Sequence, residues 1–281
     1  MKFYKLIKYD IKNGIGRKIH MYLYAFLLCI IFAATFYYNI CTYKMNVSGE
    51  TEAFTITNIL FYFFQGKEPF SPELGNAFVF PVVWLIIFLF SAYITLDYPF
   101  RNLTQHGICL LTRVRSRTYW WFSKCIFVFG STLLYFFAWY FAVLVFCKIF
   151  GINISFQFSE YINMEFSDME LGTVTREQII MLVIVLPVLT ALAVNFIQLC
   201  LGLFLNRIYC FLIITILLFA STYFQTPLAI GNFAMIKRSV LCAEGEMTIL
   251  CGVLVNTSLI ALCIIVGAVR IKKYDILKKN S

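Results

Sequence analysis

Charge is scarce in this sequence: 13% of its 281 residues are Asp, Glu, Lys or Arg, about half the usual share of a soluble domain. Together with 61% hydrophobic residues and a mean hydropathy of +0.83, that scarcity argues against a soluble globular fold. Histidine is nearly missing. With only His20 and His106, neither an HExxH helix nor a multi-histidine metal centre can be built. No GxxxxGK[ST] loop occurs, so intrinsic ATP hydrolysis is not expected. No Asp or Glu lies in the middle of an apolar stretch, Asp97 standing at the end of one. A proton- or sodium-coupled carrier, or an intramembrane protease, would need ionisable groups at that depth. The ten cysteines form no CxxC and no Cys/His cluster, and those in the apolar stretches serve as small apolar side chains. Cys41, Cys242 and Cys251 leave one outer disulfide open. No internal repeat is visible, which weighs against a repeat-built secondary transporter.

What the chain does have is long apolar runs. A membrane span needs about 20 mostly apolar residues, and six stretches qualify: about 21–40, 78–96, 122–147, 179–204, 208–224 and 248–269. The first is no cleaved signal peptide, because Phe36, Tyr37 and Tyr38 stand where a small-residue cleavage site would be. Basic residues set the orientation. With the N-terminus in the cytoplasm, the inside collects Lys2, Lys5, Lys8, Lys12, Arg17 and Lys18, the basic residues of 97–124, Arg207, Arg270 and Lys272 onward. The outside receives only Lys44, Lys67, Lys148, Arg176, Lys237 and Arg238. The expected architecture is therefore an all-α polytopic membrane protein. It has six transmembrane helices, both termini in the cytoplasm and one transmembrane domain over 1–281. The net charge of +9 then calls for anionic lipid rather than nucleic acid.

Three connecting pieces carry pattern of their own. Residues 1–20 set Phe3, Leu6, Ile7, Ile11 and Ile15 at helical spacing against a lysine-rich face, which predicts an amphipathic helix in the membrane interface. Gly14 and Gly16 suit a bend into the first span. Residues 225–247 are apolar but broken by Pro227, Gly231 and Gly245. They are too short to span, and irregular backbone at membrane depth must be buried in protein or line a cavity. The expectation is an outer re-entrant element between the fifth and sixth helices, marked by Pro227, Gly231 and Asn232. Residues 97–121 form a basic cytoplasmic connection with Arg101, Arg113, Arg115 and Arg117. Trp120 and Trp121 stand at its edge, as at a membrane boundary. Ile108, Leu110 and Leu111 between those charges predict a folded element rather than a bare turn. The cluster Phe61–Phe64 is expected to rest on the outer membrane surface or on neighbouring spans. The acidic residues of 149–178 read as a solvated loop.

Mild polarity inside the spans gathers on the fourth, where Thr190, Asn195 and Gln198 follow Pro187. Hydrogen bonding between helices accounts for them; lining a central passage is the sharper alternative.

Several motifs together resemble the six-span permease subunit of a type-2 ATP-binding-cassette exporter of Gram-positive, clostridia-like bacteria. The matching residues are Pro81, Trp84 and Leu85, then Tyr98, Arg101 and Leu103. Gly107, Leu111, Arg113, Arg117, Trp120, Trp121, Ser123 and Lys124 follow, with Pro187, Gln198, the run Gly231-Asn232-Phe233-Ala234-Met235, Arg238 and Lys273-Tyr274-Asp275-Ile276-Leu277. The resemblance implies a coupling helix within 101–118 that docks on a separate ATPase subunit through Arg101, Leu110, Leu111, Arg113, Arg115 and Arg117. It also implies a second permease chain, identical or homologous, and a bacterial plasma-membrane location. ATP and magnesium would sit on the partner ATPase and no cofactor on this chain, which is not itself an enzyme. The expected cargo is amphiphilic or hydrophobic, leaning to a peptide or antimicrobial compound. The alternative is a non-transporting sensor or immunity protein that binds a peptide at its outer face.

Overall fold

The computed structural model describes residues 3–46, 54–68, 78–101, 116–157, 160–167, 169, 171–172, 174–242 and 246–273. Within them the chain is all-helical, with isolated bridges and no strand. Helix α1 (Phe3–Asp10) runs through a wide turn at Ile11–Ile15 and a tight one at Gly16–Lys18 straight into α2 (Ile19–Asn46). Then come α3 (Ile56–Phe64), α4 (Val82–Leu96), the single turn α5 (Tyr98–Arg101) and the long α6 (Arg117–Phe150). After α7 (Glu160–Ser167), the short α8 (Arg176–Ile180) leads through a wide turn at Met181–Val185 into α9 (Leu186–Leu201). α10 (Arg207–Tyr223), two 3-10 turns at Ile230–Ala234 and Ile236–Arg238, and α11 (Ile249–Lys273) complete the order.

Among the described residues, four helical stretches are long and apolar enough to cross a membrane: Phe3–Tyr43, Arg117–Phe150, Arg176–Leu201 and Ile249–Lys272. Val82–Leu96 and Arg207–Tyr223 are equally apolar but only 15 and 17 residues long. At 1.5 Å per residue they reach about 22 and 26 Å, short of the roughly 30 Å hydrocarbon core.

α9 is the axis of the fold. Most of its side chains are buried, and it packs on α4, α6, α10, α11 and the Ile230–Ala234 turn. Its start carries a backbone defect with a visible repair. Pro187 has no N–H to give the carbonyl of Val183, one turn earlier; the Tyr140 hydroxyl of α6 donates to that carbonyl at 2.8 Å instead. The wide turn at Met181–Val185 lies immediately before.

Helix α3 answers the open question about the aromatic cluster: it rests on neighbouring helices. Phe61, Phe63 and Phe64 are fully buried, the Phe63 ring meets Trp139 of α6, and Tyr62 stacks on Phe36 of α2. Thr57 and Asn58 fix α3 from below, by donating to the Ser155 carbonyl and the Asn163 amide oxygen. Cys41, Cys242 and Cys251 are all free thiols.

Trp120 and Trp121, at the start of α6, are buried against neighbouring helices. The Trp121 indole donates to the Ile264 carbonyl of α11 at 3.0 Å, and its ring lies where a side chain at Gly267 would otherwise be. A large flat ring with one donor closes the gap between α6 and α11.

Candidate functional site

Asp10 organises the end of the molecule where α1 meets the base of α6. Its spacing from Phe3 and Leu6 puts it on the apolar side of α1, and it is 1% exposed. One carboxylate oxygen accepts from Lys124 Nζ at 2.7 Å and from the Tyr98 hydroxyl at 2.9 Å; the other accepts from Ser123 Oγ at 2.6 Å. Lys124 is as buried as its partner and lies over the Tyr98 ring. Gly14 allows this approach, since a Cβ there would collide with the rings of Phe127 and Tyr98. Tyr98 opens α5, while Ser123 and Lys124 lie in the second turn of α6. A single carboxylate therefore ties both flanks of the basic connection to α1.

Of the six residues expected on that connection, Leu110, Leu111, Arg113 and Arg115 lie outside the described residues, as does the Arg101 side chain. Arg117 is exposed and donates to the Lys272 carbonyl at 3.0 Å, joining the start of α6 to the end of α11.

Thr190, Asn195 and Gln198 all lie in the interior of the chain. Asn195 donates to Ser91 Oγ of α4 at 3.0 Å and to Thr132 Oγ1 of α6 at 2.8 Å. Gln198 donates to the Ala92 carbonyl at 2.9 Å. Thr190 accepts from Asn256 of α11 at 3.2 Å. The polar seam thus runs between α9 and three of its neighbours. Among the described residues, the amide oxygens of Asn195, Gln198 and Asn256 have no donor. At the end of the seam, Arg207 pairs with Asp97 at 2.9 Å, half in solvent.

The third group caps the opposite end of α10. Arg238 is fully buried, and its partners among the described residues are carbonyl oxygens. It donates to the Thr222 and Phe224 carbonyls at 2.7 Å, to Asn232 Oδ1 at 2.8 Å and to the Lys67 carbonyl at 2.9 Å. Burial pushes its guanidinium down to about 10, so it remains cationic at neutral pH. The unpaired carbonyls of a helix C-terminus attract such a cation. Asn232 extends the cap by donating to the Phe224 and Thr226 carbonyls. Gly231 is pressed between Ser221 and the Trp84 ring with no room for a Cβ, whereas Pro227 is exposed. Trp84 donates to the Ala234 carbonyl at 3.0 Å, and Lys237 pairs with Glu68 at 2.8 Å. The backbone from Ile230 to Ser239 is buried in protein, as an irregular segment beside apolar helices must be.

Sequence reasoning did not single out Asp10, or Lys124 as its partner. The available signal was an acid on the apolar stripe of an otherwise basic helix. It also counted Arg238 as an outer charge. Asn256, Ser91 and Thr132 carried no signal, because a lone polar residue in an apolar run has no partner until the helices are packed. Comparison with known families, with curated proteins and with solved structures finds no match for this chain.

Proposed function

We propose that this chain is the membrane-spanning permease subunit of an ATP-driven exporter. It carries six spans with both termini in the cytoplasm, an outer re-entrant element at 225–247 and a coupling segment at 97–121. The observation that carries the reading is the Asp10 tie. Both flanks of the connection are bonded through one buried carboxylate to α1, so a partner that displaced one flank would carry the other and α1 with it. The basic side chains of 101–117 would steer the ATPase subunit more than they would hold it. ATP and magnesium would be bound by that subunit, and a second permease chain would complete the complex in a bacterial plasma membrane. An apolar, aromatic interior suits an amphiphilic cargo, a hydrophobic peptide or antimicrobial compound first.

The short α4 and α10 fit a six-span reading because they pack side by side, with Phe80 against Phe219 and Tyr93 against Phe211. Purifying the chain with its genetic neighbours in mild detergent tests the proposal. An ATPase recovered in stable complex is the expected result; reproducible recovery of the chain alone would favour a sensor or immunity protein. Within such a complex, replacing Arg113, Arg115 and Arg117 by Glu is expected to abolish cargo-stimulated ATP hydrolysis. Unchanged stimulation would sink the coupling assignment.

A further inference from the structure

Three thiols meet where α6, α9 and α11 come together, and the register of the helices sets them at one level. Leu186 lies against Gly252, and Thr190 accepts from Asn256. α9 and α11 therefore run parallel with a constant offset, which places Cys263 level with Ile197, one turn from Cys200. α6 runs the other way, since Thr132 meets Asn195 and Tyr140 meets Val183. That sets Cys125 level with residues 198–202 of the chain. All three belong to one apolar cluster, Cys125 and Cys263 within it and Cys200 packed against it. The Cys200 and Cys263 sulfurs lie within hydrogen-bonding reach of each other. All three are free thiols.

Access separates the pair. Cys263 is buried, whereas Cys200 is partly exposed and stands one residue from the end of α9. Just past that end the Arg207–Asp97 pair is half in solvent, so polar reagents reach this depth. The thiolate is the reactive form of cysteine, and Cys263 is placed to donate its S–H to a thiolate at Cys200. We propose that Cys200 and Cys263 form a hydroperoxide-responsive thiol pair, with Cys200 oxidised first and Cys263 resolving it. The Cys200 sulfur attacks one oxygen of the hydroperoxide and the O–O bond breaks. The other oxygen leaves with the thiol proton as an alcohol or water, and Cys200 becomes a sulfenic acid. The Cys263 sulfur then displaces the sulfenic hydroxyl, which leaves as water with the Cys263 proton. A disulfide joins α9 to α11; the two sulfurs have lost two electrons and the peroxide has gained them. A small thiol restores the pair by exchange. The proposal requires no ATPase partner.

The test treats the full chain in phosphatidylcholine nanodiscs with cumene hydroperoxide. The chain is then unfolded, its remaining thiols are capped with N-ethylmaleimide, and its peptides are mapped without reductant. Wild type is expected to lose two maleimide adducts per chain, at Cys200 and Cys263, and to yield one cross-linked peptide pair that joins them. Dithiothreitol should restore both adducts. A purely packing role for these side chains predicts no such loss, and this measurement needs no variant to fold. Cys263→Ser should strand the sulfenic acid, so dimedone should tag Cys200. Cys200→Ser should give neither a cross-link nor a tag on Cys263, and Cys125→Ser should leave the cross-link intact. Absence of the Cys200–Cys263 cross-link in wild type would overturn the proposal. So would a cross-link through Cys125 in its place, or an equal yield from chain unfolded before oxidation. Dimedone on Cys263 of the Cys200→Ser chain would overturn the assigned roles.

Discussion

At the scale of single residues, Asp10 and Lys124 make the sharpest case. Removing one member of a fully buried ion pair strands the other charge and costs about 3–5 kcal/mol. Asp10→Ala is therefore expected to lower the thermal midpoint strongly in detergent. The double variant Asp10→Ala with Lys124→Met should recover much of that loss, and a double-mutant cycle read by thermal unfolding checks it. Gly267 makes a second case. Any side chain there meets the Trp121 ring, so Gly267→Ala should cost about 1–3 kcal/mol through overpacking. The companion change Trp121→Leu should relieve part of it. The polar partners of Asp10 were hidden from the sequence because Tyr98, Ser123 and Lys124 lie 88 to 114 positions away. The apolar periodicity of residues 3–11 did mark the buried face on which Asp10 lies.

At the scale of elements, two helix ends are completed by side chains from elsewhere. Tyr140 supplies the donor that Pro187 lacks, and Tyr140→Phe is expected to destabilise the fold by about 1–3 kcal/mol by orphaning a buried carbonyl. The same variant should speed amide exchange in Met181–Val185 ahead of the rest of α9, a local effect that hydrogen-exchange mass spectrometry resolves. The segment after α10 is held by Arg238 and closes on Cys242, whose thiol burial pushes up to about 11 from 9.0. Folded protein keeps that proton longer than unfolded protein does. Stability from this group is thus complete below about pH 9 and lost as pH rises through about 11. Cys242→Ala should flatten that part of the pH–stability curve. Pro227, Gly231 and Gly245 made the irregularity of this segment legible, and the cap itself was not, since Arg238 finds its acceptors only once α10 ends beside it.

At the scale of the whole molecule, apolar run length predicted the all-helical class and the approximate extent of the helices long and apolar enough to cross a membrane. It also counted the stretches of α4 and α10 as spans; their shortness emerges only when helix ends are set by Pro81 and Asn206. A reporter fusion after Gln157 decides whether they cross. With six spans and a cytoplasmic N-terminus, alkaline phosphatase placed there should be active, and a fluorescent protein after Asn206 should glow. If only the four long stretches cross, both positions exchange sides and both signals vanish.

The limited reach of α4 and α10 has a consequence for the membrane itself. On the six-span reading, one flank of the protein is about 4–8 Å thinner than an average hydrocarbon core. Lipid beside that flank must compress, at a modest cost for each ångström of mismatch. The protein should therefore be most stable in bilayers of shorter acyl chains. Bilayer thickness becomes a variable that acts on one face of the molecule and leaves the other alone.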